Sequence, residues 1–166
     1  MATLKTAPGA LKRADLSASE AEILEGSSHS SNLPEDVVRR QAEAATMVLN
    51  RAGFEAEIGI ETLALPSTGS GITLWSGWKG ASALGERGLP AERVGSQAAE
   101  GMVAELLSRA AVDRHLADQL VPYLALAGGS YTAPEVTSHA STNIWTASRF
   151  LEAEIFVDEG DVATFR

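Results

Sequence analysis

Val48-Leu49-Asn50-Arg51-Ala52-Gly53-Phe54-Glu55-Ala56-Glu57-Ile58-Gly59-Ile60-Glu61 changes its hydrophobic period midway, and that change decides the fold class. Upstream, Val38, Ala42, Ala45 and Leu49 recur at helical spacing, the stripe of a helix that buries one face. Gly53 stops that helix. Downstream, Phe54, Ala56, Ile58 and Ile60 alternate with Glu55, Glu57, Gly59 and Glu61, as in a strand with one wet face. A helix that passes into a strand through so short a link predicts an α+β chain.

The same reading extends in both directions. Asn32, Pro34 and Glu35 form a helix-start signature. Before it come the polar run Gly26–Asn32, the apolar piece Ala21–Leu24, and residues 1–19, a weak strand or frayed lead-in. After Glu61, Pro66–Gly71 reads as a loop and Ile72–Trp75 as a second short strand. Gly77–Gly88 is broken by glycines, which places a domain boundary near Gly80. Pro90 opens a helix carrying Val94, Ala98, Met102, Leu106 and Ala110. Asp113 caps the next helix, with Leu116, Leu120 and Leu124, and Gly128-Gly129 ends it. A strand near Tyr131–Ser138 leads to a helix over Thr142–Leu151 that buries Ile144, Trp145, Ser148 and Leu151. Ile155–Val157 and Val162–Phe165 read as a closing hairpin. The expected architecture is two small sheet-and-helix units in series, 1–79 and 80–166, without internal repeats.

Composition narrows the chemistry. There is no cysteine, which excludes disulfides, a thiol nucleophile and Cys-based metal sites. A formal charge of −9 argues against coating a nucleic-acid duplex, though not against recognising a single end. Glu152, Glu154, Asp158, Glu159 and Asp161 crowd the last residues as a solvated edge. Met1–Arg13 has no apolar signal-like region, and uncharged stretches such as Thr62–Trp78 are broken by Pro, Ser and Gly. The chain reads as soluble and cytoplasmic, with no membrane partner.

No phosphate-binding glycine loop, dinucleotide fingerprint or serine elbow occurs. His29, His115 and His139 have no paired metal-ligand spacing, so no metal-binding residue is assigned; His29 reads as a surface loop residue. Two places stand out. In Arg114–Pro122, Asp118 and Gln119 are polar neighbours on an otherwise apolar helix, and Pro122 cannot bond the Asp118 carbonyl. The stretch reads either as a ligand contact or as a helix kink with solvated polar residues. In Thr137–Asn143, His139 lies between a strand and a helix N-terminus, whose field keeps imidazole neutral and stabilises a phosphate on the ring. The plainer alternative is that Ser141 or Thr142 caps the helix and His139 is incidental.

Together these stretches resemble the RNA 3′-terminal phosphate cyclase family. The resemblance rests on Gly80–Gly88, His115–Leu120 and Ser138–Ile144, with Ser28–Pro34 and Gly69–Ile72 similar to the segment these enzymes insert into their main domain. Order and spacing agree from about Leu24 to Leu151. It implies an ATP-dependent ligase-type reaction that turns an RNA 3′-phosphate into a 2′,3′-cyclic phosphodiester, with a divalent metal (Mg or Mn) assisting. His139 matches the histidine adenylylated through Nε2. His115, Leu116, Ala117, Asp118 and Gln119 match the nucleotide-binding stretch, with His115 where relatives often carry Tyr. His139 also sets the chain apart from the family's non-catalytic ribosome-assembly branch. The chain looks like the inserted small domain (1–79) followed by the last β-α-β-α-β-β repeat (80–166). The family's early glycine-rich and arginine-bearing units have no match, so the implied partners are an N-terminal cyclase half, or a second copy, and an RNA 3′-phosphate end. The alternative is a non-catalytic RNA-binding or protein-interaction module, and a third reading is an unstable fragment.

Overall fold

The structure, a computed structural model, describes residues 9–16 and 23–166. Much of the expected lead-in and the start of the Ala21–Leu24 piece (1–8 and 17–22) lie outside the described residues. The elements are β1 (Ala14–Leu16), β2 (Leu24–Ser31), α1 (Glu35–Arg51), β3 (Ala56–Leu63), β4 (Gly69–Ser76), β5 (Lys79–Leu84), α2 (Ala91–Leu107), α3 (Arg114–Ala127), β6 (Gly129–Ala133), α4 (Ser138–Phe150), β7 (Val157–Glu159) and β8 (Ala163–Phe165). The architecture is α+β, with two four-stranded mixed sheets ordered β3-β2-β4-β5 and β1-β6-β8-β7.

The first sheet packs both α1 and α2 against one face. Ala56, Ile58, Ile72, Leu74, Ala81 and Ala83 alternate onto that face and meet Ala45, Leu49, Val94, Ala98 and Met102. The two helices approach closely at Gly95, where a Cβ would stand 2.0 Å from the Gln41 carbonyl oxygen. This unit therefore runs from β2 through α2. It continues through the boundary expected near Gly80, because Lys79–Leu84 pairs with β4 and does not leave the sheet. Gly77, at φ 57°, makes the tight turn of a β4–β5 hairpin instead.

The central strand β2 was not foreseen, since Gly26–Asn32 carries almost no apolar signal. Apart from Leu24, its inward face carries serines, of which Ser28 is satisfied by α1. Ser28 Oγ lies 2.8 Å from the Val38 carbonyl and 3.0 Å from Gln41 Oε1, and Gln41 Nε2 donates to Ser70 Oγ at 2.9 Å. His29 is thus a strand residue, not a loop residue. Asn32 does not cap α1; Pro34 takes that position, and Asn32, at φ 55°, donates its amide to Leu65 O at 2.6 Å.

The second sheet explains the order of the two units. β1 pairs in parallel with β6, Ala14 opposite Gly129, although the whole first unit lies between them in sequence. The units are therefore nested rather than in series: the chain enters the second sheet, builds the first unit, and returns. Tyr131 and Phe165 stack at 4.7 Å in the second core, and the Tyr131 hydroxyl donates to Ala117 O at 2.8 Å. β7 and β8 form the expected hairpin.

Asp113 joins the units. Its carboxylate caps α3 by accepting from the His115 and Leu116 amides (2.8 and 2.7 Å) and also accepts from Gly80 N at 3.0 Å. Beside it, buried Lys79 donates to the carbonyls of Glu105 and Ser108, both at 2.9 Å, at the end of α2. Burial holds the Lys79 ammonium below its ordinary range, and the charge of Glu105 partly offsets that.

Candidate active site

Helical spacing brings two short polar stripes together. On α3, His115, Asp118 and Gln119 share one face; on α4, His139, Thr142 and Asn143 share another. These six residues line one cleft of about 350 Å³. Leu116 and Ala117 take the opposite side of α3 and pack into the second core, Ala117 with no exposure at all. Of the expected nucleotide-binding stretch, three side chains reach the cleft and two support it from behind.

α4 begins at Ser138, so His139 lies in its first turn rather than before it. Thr137 is the cap, its hydroxyl accepting from Ala140 N at 3.0 Å. Ser141 and Thr142 do not cap; their hydroxyls donate back to the carbonyls of Thr137 and Ser138. α4 also buries far less than its periodicity predicts: Ala140 is its one buried residue, and Trp145 is 60% exposed. The helix lies over α3 through Ala140, the partly buried Ile144 and a polar contact from Asn143, with Trp145 turned out.

His139 is open and its neighbour is not. The imidazole is 84% exposed, whereas the Asp118 side chain is 11% exposed, and Asp118 Oδ2 stands 3.6 Å from His139 Nδ1. That separation is an ion-pair distance rather than a hydrogen bond. The other carboxylate oxygen, Oδ1, accepts from the Thr137 hydroxyl. The Asp118 carbonyl, which Pro122 cannot bond, accepts from Asn143 Nδ2 at 2.9 Å. The freed carbonyl is thus used to attach α4 to α3, not left for a ligand. Thr137 and Asn143 were not singled out from the sequence. The signal lay in their spacing, Thr and Asn flanking His139 by two and four residues, opposite an Asp placed four before a Pro.

The arrangement suits a nucleophile. Nδ1 faces a carboxylate, so a proton held there leaves the Nε2 lone pair free, and the first turn of α4 adds partial positive charge for an entering phosphoryl group. A divalent metal does not fit the same residues. One oxygen of Asp118 is engaged by Thr137, and among the described residues no three His, Asp or Glu side chains cluster closely enough to hold an ion. The six lining residues include no Lys or Arg. The Gly80–Gly88 stretch and His29 lie outside the cleft. Among the described residues no helix is long and apolar enough to cross a membrane.

Comparison with known proteins places this geometry in context. The sequence model of the RNA 3′-terminal phosphate cyclase insert domain matches residues 20–107, close to the span of the first unit. An RNA 3′-terminal phosphate cyclase of Methanosarcina acetivorans is 56% identical over 137 residues, covering 82% of this chain and 39% of that protein. Its counterpart in Archaeoglobus fulgidus is 53% identical over 132 residues, 78% of this chain and 40% of the relative. That of Pyrococcus furiosus is 38% identical over 159 residues, 92% and 46%. The chain thus spans about two-fifths of the length of these relatives.

Proposed function

The chain belongs to the RNA 3′-terminal phosphate cyclase family, and on that premise we propose that His139 is the residue that accepts an adenylyl group from ATP. The exposed ring at the mouth of α4, paired through Nδ1 with Asp118, carries this reading. Nε2 attacks the α-phosphorus, an N–P bond forms, and the bond to the β-phosphate breaks with release of pyrophosphate. An oxygen of an RNA 3′-phosphate then takes the adenylyl group and frees the imidazole. The neighbouring 2′-oxygen attacks the 3′-phosphorus, loses its proton and expels AMP, closing the ring. AMP makes the good leaving group that a phosphate monoester lacks. His115 and Gln119 flank the nucleotide in this reading.

Cations to balance the triphosphate, and ligands for Mg or Mn, come from outside the six lining residues. That suits action together with an N-terminal cyclase half or a second copy, in the cytoplasm where ATP and RNA ends meet. Incubation with α-labelled ATP and Mg or Mn, alone and with that half, tests the proposal. We expect an acid-labile protein adduct that disappears in His139→Ala. Label that persists in the variant, or never forms with the half supplied, overturns it.

One feature favours a second reading, that of a binding module: α4 leaves Trp145 and Phe150 exposed, at 60% and 83%. RNA or protein binding unchanged in His139→Ala, without AMP transfer, supports that reading.

A further inference from the structure

We propose that Thr137 and Asn143 are positioning residues: they grip Asp118 from its side chain and its backbone, so that its free oxygen selects the His139 tautomer with Nε2 unprotonated. The inference rests on the reading of His139 as the adenylyl acceptor, but it concerns how the ring is prepared rather than whether it reacts.

The grip starts from two vacancies that the sequence creates. Pro122 has no N–H, so the carbonyl of Asp118 loses its helical partner, and an unpaired carbonyl in a buried residue is costly. Asn143 fills that vacancy across the helix pair at 2.9 Å. At the start of α4 the Thr137 hydroxyl has one proton and accepts one bond. Its lone pair takes Ala140 N, which leaves the proton for Asp118 Oδ1. Asp118 is therefore held at two points by residues on either side of His139 in sequence. Only Oδ2 remains, and it faces His139 Nδ1 at 3.6 Å.

That distance makes the grip consequential. A direct hydrogen bond would hold carboxylate and ring together unaided, whereas at 3.6 Å the alignment depends on what fixes the carboxylate. A rotation of the Asp118 side chain would bring either oxygen, or neither, toward the ring. The charge near Nδ1 favours the tautomer protonated there, and losing it leaves the ring to its solution preference. The apolar packing of α4, Ala140 and the partly buried Ile144, holds the helix on the second core but does not orient the Asp118 carboxylate.

The tautomer of the His139 ring can be read directly from long-range proton–nitrogen NMR correlations on the full chain at mildly alkaline pH, without ATP. We expect the Nδ1–H form in the wild type and in Thr137→Ser, which keeps the hydroxyl. Thr137→Val, similar in shape but unable to donate, should shift the ring toward Nε2–H. Asn143→Ala should shift it in the same direction while leaving the Thr137 cap in place, so it decides the matter should Thr137→Val fold poorly. Where adduct formation is measurable, both variants should lower its rate at saturating ATP about 10- to 100-fold, with little change in the ATP concentration for half-saturation. Wild-type tautomer populations in both Thr137→Val and Asn143→Ala overturn the inference, as does a shift in Thr137→Ser equal to that in Thr137→Val. A tautomer that follows the variants as expected, on a chain that never takes label, upholds the positioning role while the adenylyl-acceptor reading fails. Undiminished label with an undisturbed tautomer does the reverse.

Discussion

The inserted unit and the unit that receives it hold their helices by different means. α1 and α2 sink Val38, Ala42, Ala45, Leu49, Val94, Ala98 and Met102 into a shared core, and meet at a glycine. α4 sinks Ala140, covers Ile144 only in part, and adds hydrogen bonds to Asp118. Burial is strong and indifferent to direction, while hydrogen bonds are individually weak and specific in geometry. The inserted unit should thus supply much of the stability, and the thinly packed helix pair the geometry of the cleft. A core substitution in the first unit should lower stability and spare the cleft; a polar one beside the cleft should do the opposite.

The sharpest break is Gly95→Leu. Its Cβ would meet the Gln41 carbonyl oxygen at 2.0 Å, so the two helices must separate, at a cost of about 3 kcal/mol. Urea denaturation measures the loss, and the His139 ring signals should remain at their wild-type positions under native conditions. A shift of those signals would show that the two units are not independent in this sense. Asp113→Ala strikes the joint itself, removing the cap of α3 and the acceptor for Gly80 N, and should cost about 2 kcal/mol. Here both readouts should move, because α3 carries His115 and Asp118.

The smallest effect sharpens the comparison within the second core. Tyr131→Phe loses one buried hydrogen bond to Ala117 O, worth about 1 kcal/mol at neutral pH. Burial, reinforced by the charge of Asp118, pushes the Tyr131 phenol well above its ordinary range. A raised pKa means that the folded state keeps the proton longer than the unfolded chain. The phenol's contribution is therefore complete below about pH 10 and falls away as pH rises beyond it. Lys79, held below its ordinary range, acts in the opposite sense as its burial penalty lifts on the way up. Subtracting the Tyr131→Phe stability curve from that of the wild type isolates the phenol. A difference that stays flat above pH 10 would contradict its burial.

Much of this architecture was legible in the residues. The stripe Val38–Leu49, the alternation at Phe54–Ile60, the Asp113 cap and the closing hairpin each state a local rule and obey it. Elements whose stability comes from elsewhere were misread. β2 is rich in serines, and Ser28 finds its partners on α1; β5 was hidden by the glycines around it, although Gly80 within it bonds Asp113 and pairs with β4. α4 looked amphipathic, yet Trp145 and Phe150 stay exposed, Trp145 covered only by the Arg149 guanidinium 5.2 Å from its ring. In the cleft, His139, His115, Asp118 and Gln119 could be read from the sequence; Thr137 and Asn143 could not, because their value depends on a helix nineteen to twenty-five positions away.

The amino-acid sequence by itself determined the fold class and the family, because periodicity and motif spacing act over one or two helical turns. The tertiary structure alone decided that one unit is nested in the other. It also decided that a carbonyl freed by Pro122 would be claimed by Asn143. Both outcomes turn on contacts between segments far apart in the chain, where a hydrogen bond forms only if folding brings donor and acceptor within about 3 Å at the right angle. No local pattern records that distance.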